Sequence, residues 1–217
     1  MKVVAFVPLK LNNERLPGKN TKMLKNGRPL VDYILNTLGK VNEIDESYVY
    51  CSSESIVDYI NDSNIKYLKR PESLDSSSTK INEVLLSFAN DVEADIYVLV
   101  HATAPFISAE SISKAISSIV DGGHDSALAV SAMREFLWSG GKPMNYDLEN
   151  IPRTQDLTPV YVETTGLYVY TRDLILTKNR RIGSNPFLVE VSKIEALDVN
   201  EPIDFNIVDA VSDYMSF

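Results

Sequence analysis

Six cationic side chains, Lys10, Arg15, Lys19, Lys22, Lys25 and Arg28, share one stretch with a single acid, Glu14. The stretch, "PLKLNNERLPGKNTKMLKNGRPL", covers residues 8–30. With Lys2 it gathers 7 of the 21 Lys and Arg residues into the first 28 positions, which leaves 14 basic against 29 acidic residues beyond. Arg presents a planar fork to phosphate or carboxylate oxygens, and Lys a compact point charge. A charge-assisted hydrogen bond contributes about 1.5–3 kcal/mol, so three or four such groups could hold a triphosphate. The competing reading is a solvated Lys-rich surface loop. "PGKNTK" lacks the spacing of a G-x-x-x-x-G-K-[ST] phosphate loop, and no G-x-G-x-x-G occurs there.

The elements around this stretch must position it. Apolar runs alternate with helix-period segments. Strands are expected at 3–7, 47–52, 65–69, 95–102 and 126–133, and helices at 29–39, 53–60, 78–91 and 108–123. The near-continuous apolar run at 95–102 fits a strand buried on both faces. A strand and helix start follow in "GLYVYTRDLIL", then late strands "FLVEVS" and "IEALDV", and a closing helix over 201–215 with Pro202 near its first turn. The alternation predicts an α/β fold, a Rossmann-like, mostly parallel sheet with helices on both faces. Residues 1–217 read as a single domain, with an arm inserted at about 134–161. In such sheets ligands bind beyond the carboxyl ends of the strands. The first strand-to-helix loop, of about twenty residues, far exceeds the usual ~2–6.

A chain of 217 residues with 44% hydrophobic and 24% charged residues can bury a core unaided. The net charge of −9 argues against nucleic acid and anionic membrane as partners. One small anionic ligand stays compatible with it. No apolar run approaches the ~20 residues of a membrane span. The N-terminal residues do not read as a secretory leader, and a lone cysteine, Cys51, fits a reducing compartment. The expected location is cytoplasmic.

Three further residues stand out. Asp198 lies in the short apolar run "ALDV" just before a helix, a position for a carboxylate aimed at the strand ends. A helix-capping role is the alternative. His101 ends the central strand and reads as a general base, a substrate hydrogen-bonding group or a satisfied strand-end histidine. Trp138, with Phe136, Met144 and Tyr146, marks either an interface or a cap on the chain's own core. With two histidines and one cysteine, a zinc site is not expected; His124, after Gly-Gly, reads as solvated.

Several stretches, in order, resemble one family. "RLPGKN" (15–20) looks like the signature of cytidylyltransferases that make CMP-sialic acid, CMP-pseudaminic acid and related CMP-sugars, and 3-deoxy-manno-octulosonate cytidylyltransferases carry a similar loop. "KRPESL" (69–74), "LVHATAPF" (99–106), "RTQDLTPVYVETTGLYVY" (153–170), "RIG" (181–183) and "LDVNEPIDF" (197–205) resemble the family's later motifs. The resemblance covers nearly the whole chain.

It implies a nucleotide-diphospho-sugar transferase-like fold with a small dimerisation arm. It implies transfer of CMP from CTP to a 2-keto acid sugar, a sialic acid-like nonulosonic acid, with release of pyrophosphate, for surface polysaccharide or glycan synthesis. Leu9, Lys10, Asn13, Arg15, Lys19, Asn20, Arg70, Ser78 and Thr79 would lie on the nucleotide side. His101, Thr103, Lys142, Arg153, Gln155, Tyr161, Thr165 and Tyr168 would lie on the acceptor side. Lys10, Arg15, Lys19 and Asp198 would serve catalysis, and Asp198 with Asn200 would hold Mg²⁺. A homodimer follows by analogy, with Lys142 near the partner's site.

The departures cluster on the sugar and metal sides. Lys10 stands for an Arg, Asn13-Glu14 for a small-plus-basic pair, His101 for a Gln, Thr165 for an Asn and Asn200 for the second metal-site Asp. Asp204 is expected to be structural. Alternatives are a different acceptor such as an octulosonate, a non-catalytic nucleotide-binding paralogue, and a nucleotide-sugar glycosyltransferase. No mid-chain Asp-x-Asp supports the last.

Overall fold

The structure is a computed structural model and describes residues 1–214. Its strands are β1 (Val3–Leu9), β2 (Glu46–Cys51), β3 (Ile65–Lys69), β4 (Ile96–Val100), β5 (Ser126–Met133), β6 (Trp138–Ser139), β7 (Lys142–Pro143), β8 (Val160–Thr171) and β9 (Pro186–Glu190). Its helices are α1 (Leu30–Leu38), α2 (Ile81–Asp91), α3 (Ala109–Val120), α4 (Arg172–Lys178) and α5 (Pro202–Ser212). Seven strands form one sheet in the order β3-β2-β1-β4-β8-β5-β9. The β1–β2, β2–β3, β1–β4 and β5–β9 pairs are parallel, whereas β8 is antiparallel to both β4 and β5.

Strand alternation divides the core into two layers. From β1, Val3, Ala5, Val7 and Leu9 face a cluster that includes Val31, Ile34, Leu35 and Leu38 of α1 and Ile112, Ala115, Ile116 and Ile119 of α3. Val4 and Phe6 face the opposite cluster, with Val84, Leu85, Phe88 and Ala89 of α2 and Leu174 and Ile175 of α4. Phe88 is the hub of that layer: it stacks on Phe6 with ring centroids 3.9 Å apart and meets Tyr48, Tyr50 and Tyr97 edge-on. A third cluster joins Leu16 and Leu24 of the first loop to Leu30, Tyr33, Phe106, Val199 and, from α5, Phe205 and Val208. That cluster pins the basic loop to the body of the protein, so the loop has a defined path.

Five expectations need correction. The "IEALDV" strand does not form: residues 191–201 carry no strand, and Val199 N–H meets the sheet end through one bond, to Thr103 O at 2.8 Å. Propensity without a neighbouring strand leaves no ladder to complete. The 53–60 helix is a 3₁₀ segment, Glu54–Tyr59, whose Ser53 makes no side-chain cap. The helix expected from Ser78 begins at Ile81, so Ser78 and Thr79 lie in the preceding turn. The strand expected from Gly166 extends back to Val160 and takes the last two residues of the arm. The closing helix ends at Ser212; Met215 of its expected span lies outside the described residues. By contrast α3 starts as expected, with Ser108 Oγ accepting from Ser111 N–H at 3.1 Å.

Candidate active site

β1 and β4 run side by side, but the chain leaves β1 toward β2 and reaches β4 only after β3. A crevice opens where strand order reverses, outside the carboxyl ends. A cavity of about 400 Å³ lies there. Its wall includes Leu9, Lys10, Asn13, Lys19 and Asn20 from the first strand and loop, and Arg70 and Thr79 from the segment after β3. His101 and Thr103 from the end of β4, Thr165, Asp198 and Asn200 also line it.

The loop is held by its own polar groups. Buried Asn20 donates from Nδ2 to Lys10 O at 3.0 Å, which closes the loop on itself. Gly18, at φ 65°, makes the left-handed turn before Lys19. Lys10 Nζ donates to Asp75 O at 2.9 Å. Arg70 is buried and ion-paired with Asp75, whose other oxygen accepts from Ser52 Oγ at 2.5 Å. Asp75 therefore organises the nucleotide-side wall, and its importance was not evident from the sequence. Ser76 and Ser77 also line the cavity, whereas Ser78 does not. The hydroxyl run "SSST" after Arg-Pro was the available signal.

Lys19 reaches across the crevice to Val199 O at 2.9 Å. Burial pulls its pKa down, with Arg15 adding to the effect and Asp198 opposing it. Arg15 is exposed and bridges to the far bank: Nη2 donates to Asn200 Oδ1 at 2.7 Å, and Nη1 lies 3.5 Å from Glu201 Oε1. Glu14 lines a side hollow with Arg15 and is absent from the wall of the main cavity. Asn13 Oδ1 is buried without a partner.

Asp198 stands at a junction. Its Oδ2 accepts from Thr165 Oγ1 at 2.9 Å and Asn200 Nδ2 at 2.7 Å, while its Oδ1 is buried without a hydrogen-bond partner. Among the described residues no cluster of three or more His, Cys, Asp or Glu side chains could hold a metal. An orphaned carboxylate oxygen does fit a cation that takes one protein carboxylate and completes its shell with phosphate and water. Asp204 has the structural place expected of it: it accepts from Asn200 N–H at 2.9 Å and Glu201 N–H at 2.8 Å, which cap α5 and hold its pKa down.

His101 Nε2 is also enclosed without a partner. Burial, then the positive charge of Arg181, pull the imidazole pKa down to about 4. His101 is therefore neutral at pH 7, and its ring can donate or accept toward a ligand. Gly166 lets β8 pass close to the turn after β4: a Cβ there would lie 2.8 Å from Ala104 Cβ and 2.9 Å from Ile107 Cγ1.

A second cavity, of about 560 Å³, shares Thr165 and Asp198 with the first. Arg134, Glu135, Glu163 and Lys193 line it. Arg134 and Lys193 were missed; both follow the carboxyl ends of strands, β5 and β9, which was the signal available. The other expected acceptor-side residues do not reach either cavity. Tyr168 is fully buried, donates to Glu163 and lies under the Arg181 guanidinium, 3.6 Å from its ring centroid. Arg153 is exposed and pairs with Asp156 at 2.8 Å, and Gln155 is exposed in the adjoining 3₁₀ turn. Tyr161 is exposed on β8, and Lys142 is exposed on the β6–β7 hairpin. The crevice thus brings together Leu9, Lys10, Asn13, Lys19, Asn20, Arg70 and Thr79 of the nucleotide-side set, without Arg15, Ser78 or the arm residues.

The cytidylyltransferase family profile matches residues 4–191. The CMP-N,N'-diacetyllegionaminic acid synthase of Legionella pneumophila is 27% identical over 220 residues, covering 94% of each chain. The N-acylneuraminate cytidylyltransferase of Oncorhynchus mykiss is 25% identical over 182 residues, 80% of this chain; the match spans only 42% of that longer relative. Among solved structures, a CMP:2-keto-3-deoxy-manno-octonic acid synthetase complexed with CTP superposes with a TM-score of 0.72 at 16% identity, covering 99% of both chains. With that profile spanning most of its length, the chain belongs to the cytidylyltransferase family.

Proposed function

We propose that the protein transfers CMP from CTP to a hydroxyl of a 2-keto sugar acid. The acceptor hydroxyl releases its proton to solvent, its oxygen attacks the α-phosphorus, the bond to the β-phosphate oxygen breaks, and pyrophosphate leaves. The carrying observation is the paired cavities that meet at Asp198 and Thr165. CTP fits the first, which Lys10, Lys19 and Arg70 line, with Arg15 at its side, and the acid fits the second, beside Arg134 and Lys193. The chain's work is then positioning and charge neutralisation of an in-line transfer. Neutral His101 offers a hydrogen bond at the junction. Asp198 would hold Mg²⁺ through Oδ1, where the ion would supply charge neutralisation for the phosphates.

Between acceptors, similarity to the legionaminic and neuraminic acid enzymes supports a nonulosonic acid. The arm supports a homodimer: Phe136, Trp138, Met144, Leu148 and Ile151 are exposed on it, beside Val160 and Val162 of β8. No helix among the described residues is long and apolar enough to cross a membrane.

A pyrophosphate-release assay with CTP, Mg²⁺ and a panel of nonulosonic and octulosonic acids tests the function. Release with a nonulosonic acid is the expected result. CTP binding without release for any acceptor would overturn it in favour of a non-catalytic nucleotide-binding protein.

A further inference from the structure

We infer that Asn200 is a positioning residue, which fixes the Asp198 carboxylate for a divalent cation and ties that carboxylate to Arg15 of the triphosphate loop. The inference rests on the proposed CTP-dependent reaction and deepens it. Asn200 is one of the positions that could have supplied a metal ligand, and the geometry gives its side chain different work.

The amide uses both ends. Nδ2 donates to Asp198 Oδ2 at 2.7 Å, and Oδ1 accepts from Arg15 Nη2 at 2.7 Å. The orientation of the amide is fixed by chemistry, because a carboxylate only accepts and a guanidinium only donates. The Asn amide supplies both the donor and the acceptor that complete the chain Arg15–Asn200–Asp198. An Asp would satisfy Arg15 but place a second carboxylate oxygen against Asp198 Oδ2, and like charges at that distance repel. The backbone of Asn200 is itself fixed, through its N–H to Asp204 and through Val199 N–H to Thr103 O at 2.8 Å. The amide thus projects from an anchored point.

Two donors, Asn200 Nδ2 and Thr165 Oγ1, converge on Asp198 Oδ2. They leave Oδ1, buried and unpaired, as the one oxygen presented for coordination. Groups that orient a metal-binding carboxylate commonly change metal affinity 10–100-fold when removed. Arg15 adds coupling: a nucleotide that draws the guanidinium toward its phosphates loads or releases the same amide that holds Asp198. Cation and triphosphate are then bound through one hydrogen-bonded chain.

The test measures Mn²⁺ binding to the full-length protein by paramagnetic resonance and calorimetry, with and without CTP, for wild type, Asn200→Ala, Arg15→Ala and the double variant. Asn200→Ala is expected to weaken Mn²⁺ binding to the CTP complex about tenfold, with the melting temperature nearly unchanged. In the double variant the two effects are expected to be non-additive, because each substitution cuts the same chain. Unchanged Mn²⁺ affinity in Asn200→Ala, or additive effects, would overturn the inference. Asn200→Asp supplies an arm that needs no nucleotide. Its melting temperature without cation should fall, and Mn²⁺ alone should raise it more than it raises that of the wild type. An equal rise in both proteins would overturn the inference even if wild type bound no CTP. Failure of wild type to bind CTP counts instead against the proposed reaction.

Discussion

The nucleotide-side wall and the arm are built by opposite means. The wall joins residues far apart in sequence through short polar bonds: Lys10 to Asp75, Lys19 to Val199, Arg15 to Asn200. Leu16 and Leu24 anchor it below, each under 10% exposed. The arm holds itself locally. Its two-residue strands β6 and β7 are braced by Asn145, which accepts from Leu137 N–H at 2.9 Å and donates to Glu135 O at 2.9 Å, while Trp138 remains 54% exposed. A preorganised wall loses function when one polar group is removed. An exposed arm has little to lose until something covers it.

That contrast can be broken at several points. Asp198→Asn should show the largest effect, a loss of about 10²–10³-fold in turnover, the size seen when a group stabilising transition-state charge is removed. Its fold should be retained by circular dichroism. Full activity would mean that the junction residue is a spectator. Lys19→Ala comes next. Removing one charge-assisted contact of about 1.5–3 kcal/mol should weaken CTP about 10–100-fold with little change in melting temperature. An unchanged CTP affinity, read by calorimetry, would take the basic loop out of the site.

His101 sharpens the comparison through pH. Its folded pKa, about 4, lies below its ordinary 6.5. The unfolded chain therefore binds the proton first, and the contribution to stability is present above pH 6.5 and lost as pH falls toward 4. At pH 5 the loss is about 2 kcal/mol on the relation of 1.36 kcal/mol per pH unit. Denaturant unfolding at pH 7 and pH 5 should show this loss in wild type and a smaller one in His101→Gln. Equal losses would mean that the imidazole is not held neutral. Trp138→Ser should have the smallest effect on the fold, within about 0.5 kcal/mol, as for exposed positions. Sedimentation should nonetheless show a shift toward monomer. An unmoved association state would leave the arm without the proposed partner.

The basic loop's share of the wall was legible in the sequence because it is one continuous stretch. A long basic stretch after the first strand, with Pro17 and Gly18 inside it, identifies a loop with a path, and Arg15, Lys19 and Asn20 fall on it. Period-2 and period-3.6 patterns placed β1, β4, α1 and α3 within a few residues, because each buries its own apolar face. What depended on partners distant in sequence was not legible. β8 enters antiparallel between β4 and β5, which periodicity cannot express. "IEALDV" has strand-like residues but meets no neighbouring strand.

The same division holds inside the site. Residue type and position, together with the family resemblance, marked Asp198, Lys19 and His101 as chemically capable. Only tertiary structure decided that Arg153 and Lys142 point their charges elsewhere, that Arg134 and Lys193 line the second cavity, and that Asn200 spans Arg15 and Asp198. The physical reason is reach. Backbone propensity and burial pattern act over a few residues, whereas hydrogen bonds between side chains 185 positions apart, as for Arg15 and Asn200, exist only once the sheet has brought its strand ends together.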